Sequence, residues 1–550
     1  MFLKNIGWSL FALVFLTAPA CTKYLDKTNP DSEVDPDYWK NENSVRTYNW
    51  EFYNLFTGYG TGSSGDFYFS SFTDDQCPTG FTQFPVTTAA SSGSWDFSMI
   101  RKANIMLARV NQVKMDDAAK KHWKGIAHFF RAFQYFKLVQ VFGGVPFYNA
   151  SFDVSDSTLI YKPRDSHQLV MDSVLADINF AVDNLRTTDL PNTVNRDVAL
   201  ALKARIALFE GTYRKYHTEL SMPNADLYLS QAKDAAQKLM TSGAYTLATD
   251  YKTTYTSLDL SGDKEMILYK QYVSGYLAHS VIGWTNSTSL MAGLTKAAVE
   301  SYVCSDGLPI GLSPLYKGDG SIQSLRMNRD KRLLATIDTF LTYNGSLVSG
   351  LNSNTGYRPS KFLQPLDPNQ QSGQNTTDAP LFWLAEVYLN YAEACAELDQ
   401  LGKYTIVQAD LDQSVNRLRQ RAGIPPLVLN GTQAVGFVDP KKDADVTPLV
   451  WELRRERRVE FMMDGFRFQD LMRWKRGVYM DSQKNPDSFL GAKVPDNGKV
   501  TRNAAGYITP YPPASIRIFT DPKNYLSAVP TSQILLYPQS IQAAMQNPGW

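Results

Sequence analysis

Apolar residues recur at helical spacing through most of the first half of the chain. Between 39 and 59, Val45, Tyr48, Phe52 and Phe56 fall on one face of a helix with about 3.6 residues per turn. From 95 to 113, Met99, Ile100, Ala103, Met106, Leu107 and Val110 do the same. A second run, 118–148, meets Gly143–Gly144 and then Pro146, a sequence that stops a helix. Three more amphipathic runs follow at 166–185, 195–216 and 227–245, the last ending at Gly243. A single helix pair of this kind cannot bury its apolar face alone. The pattern therefore predicts antiparallel pairs stacked as a tetratricopeptide-like solenoid.

The periodicity is lost from 250 to 378, where Gly, Ser, Asn, Thr and Tyr dominate, as in "YVSGYLAHSVIGWTNSTSLMAG". That stretch reads as a loop-rich insert with short strands, and long ordered loops on a rigid scaffold are where binding residues concentrate. Helical spacing resumes at 379–402 and at 404–426, which ends at Gly423 before Ile424–Pro425. Thr447 followed by Pro448 marks another start, a capping hydroxyl with proline at the first helical position, for a helix to about Met463 that closes at Gly465. The fold class expected is mainly α within one domain, 39–550. Its helical scaffold comes from 39–249 and 379–480, its irregular insert from 250–378 and an irregular C-terminal segment from 481–550.

The first twenty residues carry Lys4, an apolar run from Trp8 to Leu16, and small residues at Ala18 and Ala20. This reads as a signal peptide, 1–20, too short for a membrane span. Cys21 follows directly, as in a bacterial lipoprotein signal, although Ala18 stands where leucine is usual; an ordinary signal peptide followed by cysteine is the alternative. Residues 21–38 are polar and tether-like. Cys77, Cys304 and Cys395 are far apart, odd in number and without metal-site spacing.

The net charge of +1 across 550 residues excludes the basic excess of a nucleic-acid binder. The apolar content of 43% supports a large core, and the aromatic content of 13% supplies rings that pack cores but also stack on sugars and peptides. Charge and aromatics are densest in "LRRERRVEFMMDGFRFQDLMRW", Leu453–Trp474. From Trp451 to Arg476 there are eight Arg/Lys and five Asp/Glu, a mixture of signs that no nucleic-acid face would present. Glu456 and Glu460 share a helical face, and paired carboxylates can hydrolyse glycosides. However, Arg454, Arg455, Arg457 and Arg458 beside them favour ionised carboxylates and oppose a raised acid pKa. Glu456, Glu460, Arg467 and Asp470 are therefore expected to be paired internally, with Glu460 and Asp464 as a repulsive pair. The five histidines show no ligand spacing, and the glycines of 58–75 mimic half a phosphate loop without its lysine. No catalytic residue, metal or cofactor is predicted.

Several segments together resemble the SusD/RagB family of nutrient-binding outer-membrane lipoproteins. "CTKYLDKTNP" is similar to the lipidated start, and "FFRAFQYFKLVQVFGGVPFY" (129–148) to the family's Arg-Ala-aromatic helix with its Gly-Gly-Val-Pro turn. "WLAEVYLNYAEACAEL" (383–398), "VNRLRQRAGIPP" (415–426), the Leu453–Trp474 motif and the ending "YPQSIQAAMQNPGW" follow in the family's order. Asp464 replaces a usual glutamate, and Tyr537–Pro538 departs from a usual Pro-Ile-Pro.

The resemblance implies a protein anchored through lipid on Cys21 to the outer membrane and exposed at the cell surface. It would capture an oligosaccharide, or in some relatives a peptide, and pass it without catalysis to a SusC-like TonB-dependent transporter. Trp95, which resembles the family's loop tryptophan, is a candidate ligand contact. Tyr276 and Trp284 of the insert and Asp74, Asp75 and Gln76 of the early loop are the others. Arg101 and Asn104 read as structural. Two rival readings are a secreted all-helical glycoside hydrolase and a solenoid that binds protein partners alone.

Overall fold

Side chains at the helix ends set the frame. In the computed structural model, which describes residues 38–61, 65–68, 72–152, 155–285, 290–342, 352–496 and 498–550, helix α1 (Glu42–Asn49) starts behind Asn41, whose side chain accepts from Ser44 N. After α2 (Ser98–Arg109), Asp116 caps α3 (Asp117–Phe142) by accepting from Ala119 N at 2.7 Å, and Gly143 ends it at φ 69°. Ser166 caps α4 (His167–Asn184) and Asn195 caps α5 (Arg196–Tyr216). Helices α6 (Ala225–Met240), α7 (Leu384–Gln400) and α8 (Val415–Ala422) follow. Thr447 caps α9 (Pro448–Glu460) as the Thr-Pro pair predicts, ahead of α10 (Arg467–Arg473). Each such cap contributes about 1 kcal/mol. The signal peptide 1–20, Cys21 and the tether up to 37 lie outside the described residues, as do 62–64 and 69–71 of the glycine loop.

Neighbours in sequence become neighbours in space: α2 packs on α3, α3 on α4, α4 on α5 and α5 on α6. Helix α7 then docks on α6, although the whole insert lies between them in the chain, and carries α9 on another side. The protein is thus mainly helical, with one apolar cluster running from Trp39 to Ile508.

Six short strands among the described residues tie the insert to this stack: β1 (Gln76–Cys77), β2 (Met266–Lys270), β3 (Leu290–Met291), β4 (Gly293–Leu294), β5 (Asn352–Ser353) and β6 (Ala379–Trp383). Antiparallel β2 and β6, with Met266 opposite Trp383 and Lys270 opposite Ala379, bring the two ends of the insert together. The β1–β4 pair, Gln76 opposite Leu294, fastens the early loop to the insert, and β3 runs parallel to β5.

Four boundaries differ from the sequence pattern. The run 379–402 opens as strand β6, because its backbone groups complete the ladder of β2 and a helix there would leave that ladder unpaired. The run 404–426 breaks into Gln408–Asp412 and α8. Asp410 accepts from Val407 N and from the Tyr391 and Tyr404 hydroxyls, while Ser414 bonds the Asp410 carbonyl, so side chains compete with the helix ladder at the break. In 39–59, α1 gives way to a 3-10 turn at Trp50–Leu55. Helix α9 stops at Glu460, and the chain reverses through Met463 (φ 67°) and Gly465 (φ 82°). A Cβ on Gly465 would lie 2.3 Å from the Asp66 carbonyl oxygen, so only glycine fits there.

The Leu453–Trp474 motif forms the ionic centre of the molecule. Fully buried Arg332, from the insert, reaches Asp330 at 2.6 Å, Glu456 at 2.8 Å and Glu460 at 3.1 Å. Glu456 also takes Arg419, and Glu460 takes Arg421, both from α8. Arg457 and Arg473 share Asp470, and Arg473 also grips Glu393 of α7 at 2.5 Å, beside the Trp474 indole N–H at 2.7 Å. The expected internal pairing of Glu456, Glu460, Arg467 and Asp470 is present. Glu460 does repel Asp464: burial and that neighbouring charge push the Asp464 carboxyl up to about 6, although Lys361 holds it at 2.7 Å. Removing one partner of such a buried group typically costs about 3–5 kcal/mol, since its counterion is left without compensation.

Burial by itself would raise the Glu393 carboxyl, but Arg473 outweighs it and brings the group down from 4.5 to about 2. A depressed acid contributes stability above its unfolded value and loses it as pH falls through the folded one. Wild type should therefore exceed Glu393→Gln in unfolding free energy above pH 4.5, and the gap should close as pH falls toward 2. Urea titrations of both proteins across that range check this; a gap constant with pH would refute it.

Candidate functional site

The insert presents an open surface just after β2. Asp378 fixes the base of this surface by accepting from Leu260 N at 3.1 Å and Tyr272 N at 2.9 Å. Its burial pushes the carboxyl up to about 6. Beside it, buried His279 lies against the rings of Tyr59 and Tyr272, with centroids at 4.8 and 4.7 Å. Burial drives the imidazole down to about 3, so it is neutral and structural, 3.0 Å from the Thr377 carbonyl. Between these anchors the chain makes a tight turn, with Val273 N and Leu277 N each bonded across it. The turn projects Tyr276, which is 92% exposed.

The short helix Val281–Thr285 follows, carrying half-buried Trp284 against the core. A second loop is locked to this helix. His279 and Asn375 exchange backbone hydrogen bonds at 2.9 and 3.1 Å, and Gly283 N donates to Asn375 Oδ1 at 3.1 Å. Asp367 Oδ1 accepts from Asn369 N, its Oδ2 accepts from Thr376 N, and the Asn375 amide bonds the Asn369 and Gln371 carbonyls. Gln371, Ser372 and Gln374 remain exposed, as does Leu366 at 81%. An aromatic turn and an amide-rich loop thus share a base built from His279, Asn375 and Asp378. Open rings offer apolar faces to C–H groups, and side-chain amides both donate and accept hydrogen bonds. This chemistry suits a neutral polyhydroxylated ligand.

The other residues singled out from the sequence lie elsewhere. Asp74 and Asp75 are each 1% exposed, instead of open to a ligand. Arg467 holds Asp74 at 2.8 Å, and Arg458 reaches Asp74 at 3.0 Å and Asp75 at 2.7 Å. For Asp74, burial would raise the carboxyl but the two arginines outweigh it and lower it; for Asp75, burial prevails and raises it. Gln76 is also buried, in β1, and donates to the Ala292 carbonyl at 3.1 Å. These three side chains bind the early loop to α9, α10 and the insert. Trp95 sits at the far end of α3, edge-on to Phe142 at 4.9 Å and Phe97 at 5.6 Å. Its ring contacts do not include Tyr276 or Trp284. Asn104 donates to the Tyr148 and Ala150 carbonyls, and Arg101 to that of Phe152, which are structural bonds.

The carboxylates weighed as a hydrolytic pair are closed off. Burial would raise Glu456, but Arg332 and Arg419 prevail and hold it below the usual carboxylate range. A general acid needs the opposite shift. The exposed amides of 371–374 were not anticipated, and the run "NQQSGQNTT" within an irregular region was the signal that pointed to them.

Comparison with known proteins agrees with this architecture. Residues 259–550 match the family described as the SusD family, and residues 64–208 match one described as starch-binding associating with outer membrane. A SusD-like protein of Formosa agariphila is 25% identical over 501 residues, covering 86% of this chain and 92% of that one. A SusD-like carbohydrate binding protein from Bacteroides fragilis shares the fold with a TM-score of 0.68 at 19% identity, covering 91% of this chain and 99% of that one. A laminarin binding SusD-like protein superposes with a TM-score of 0.57 at 18% identity, over 93% of this chain and all of the other (100%). With more than half its length in the family match and the helical stack and insert in the shared arrangement, the chain belongs to the SusD/RagB family.

Proposed function

We propose that this protein binds an oligosaccharide at the insert surface and delivers it, unmodified, to a TonB-dependent outer-membrane transporter. The observation that carries the reading is the pairing of Tyr276, open to solvent on a braced turn, with the amide-rich loop 369–375 alongside Trp284. Sugar rings stack on such aromatic faces while their hydroxyls take up amide hydrogen bonds. The laminarin-binding relative and another neighbour, solved with a xylogluco-oligosaccharide, support a glycan as the ligand class. The arginine-locked carboxylates of α9 support capture without hydrolysis.

The protein is placed at the cell surface, held to the outer membrane by lipid on Cys21. Among the described residues, no helix is long and apolar enough to cross a membrane. The matched family description, which mentions the outer membrane, supports this location.

A glycan array followed by isothermal titration of the hits tests the reading. Tyr276→Ala should weaken a bound oligosaccharide about tenfold or more, with the melting temperature unchanged because the ring is exposed. Trp284→Ala should weaken it similarly. Full affinity in both variants, or shortening of the bound glycan during incubation, would overturn the reading. For the anchor, Cys21→Ser should move the protein from the membrane fraction to the soluble fraction; retention in the membrane would refute lipidation there.

A further inference from the structure

A cavity of about 340 Å³ lies against α9, away from the Tyr276 surface, and its lining includes seven cationic side chains and five carboxylates. That volume is within the range of small-ligand sites. Five of the cations are matched to the pocket's own carboxylates: Lys441 to Glu300, Arg455 to Asp439, Arg476 to Asp443, and both Arg458 and Arg467 to Asp74. Arg454 and Lys484 are left over.

Arg454 is 7% exposed, with its guanidinium carbon 4.6 Å from the centroid of Trp474 and 4.8 Å from that of Tyr216. Its Nε and Nη2 make no hydrogen bond. The carboxylate nearest to it, Glu397, stands 3.7 Å away and is already engaged by Lys215 and the Tyr216 hydroxyl. A buried guanidinium with unused donors destabilises its surroundings until an acceptor arrives. Lys484 is exposed in the lining and, among the described residues, has no ion pair. The half-buried Trp451 ring also lines the space, while Trp474 is buried beneath Arg454.

We propose that this pocket binds the acidic unit of a saccharide, its carboxylate or sulfate ester held by Arg454 and Lys484 and its ring set against Trp451. This extends the glycan-binding reading and rests on it, but uses a separate site. Arginine suits such a group because its planar donors match paired oxygens.

Titration of the full chain with glucuronate, glucose 6-sulfate, glucose and inorganic sulfate tests it. At least one acidic sugar should bind, more tightly than glucose or sulfate alone and less tightly as ionic strength rises. Which of the two binds identifies the head group. Lys484→Gln and Arg454→Gln should each weaken it about tenfold, while neutral oligosaccharide binding at Tyr276 stays unchanged. Lys484→Gln alters an exposed side chain and carries the test even where Arg454→Gln unfolds. Binding by neither acidic sugar, equal binding of glucose, equal binding of inorganic sulfate (an adventitious ion only), or unchanged affinity in Lys484→Gln would overturn the proposal. Loss of neutral-glycan binding in wild type would instead count against the function proposed for the insert surface.

Discussion

A guanidinium sealed from water needs acceptors for its donors and its charge, and Arg332 meets that need by drawing three carboxylates into the centre of this protein. It belongs to the insert, yet two of its partners, Glu456 and Glu460, belong to α9 of the scaffold. Each of those in turn holds an arginine of α8. Helices α9 and α10 reach the early loop through Arg458 and Arg467, and α10 reaches α7 through Arg473. Segments distant in the chain therefore share one set of ionic constraints. An apolar core would bury area equally well. The ion pairs add a geometric demand, because a slip of any one segment would strand a charge.

That demand explains how so irregular an insert can carry a defined surface. The β2–β6 pair closes its ends, Arg332 and Lys361 fix its interior to α9 and the turn after it, and Asp378, His279 and Asn375 brace the two outer loops. What is left over is the rim, where Tyr276, Leu366, Gln371 and Gln374 face solvent. Rigid interior and open rim are a division suited to binding, since affinity depends on contacts being held in place before the ligand arrives.

What was legible in the chain was local. The Thr447–Pro448 start, the glycine stops at 143 and 423, and the apolar stripes of the long helices each depend on neighbours within a few turns. The motif's mixed charge showed that Glu456, Glu460, Arg467 and Asp470 would be paired. It could not show with what, because Arg332, Arg419, Arg421 and Asp74 come from remote segments and obey no spacing rule. The same limit hid strand β6, whose partner β2 lies near the opposite end of the insert. Asp74 and Asp75 looked like ligand groups because polar side chains in a loop usually face water. Here arginines from α9 and α10 arrive to cover them. Tyr276 was singled out only as a ligand candidate of the insert; its exposure, and the amide loop brought beside it by the Asn375 bridge, depend on contacts between remote segments.

Arg332 locks insert to scaffold, and amide hydrogen exchange of Arg332→Met reads that lock segment by segment. With Asp330 stripped of its ion pair and Glu456 and Glu460 each left with one arginine, protection should fall together in 330–342, in 352–362, in α8 and in α9, while α3 and α4 keep theirs. Protection equal to wild type in all of these segments would contradict the account.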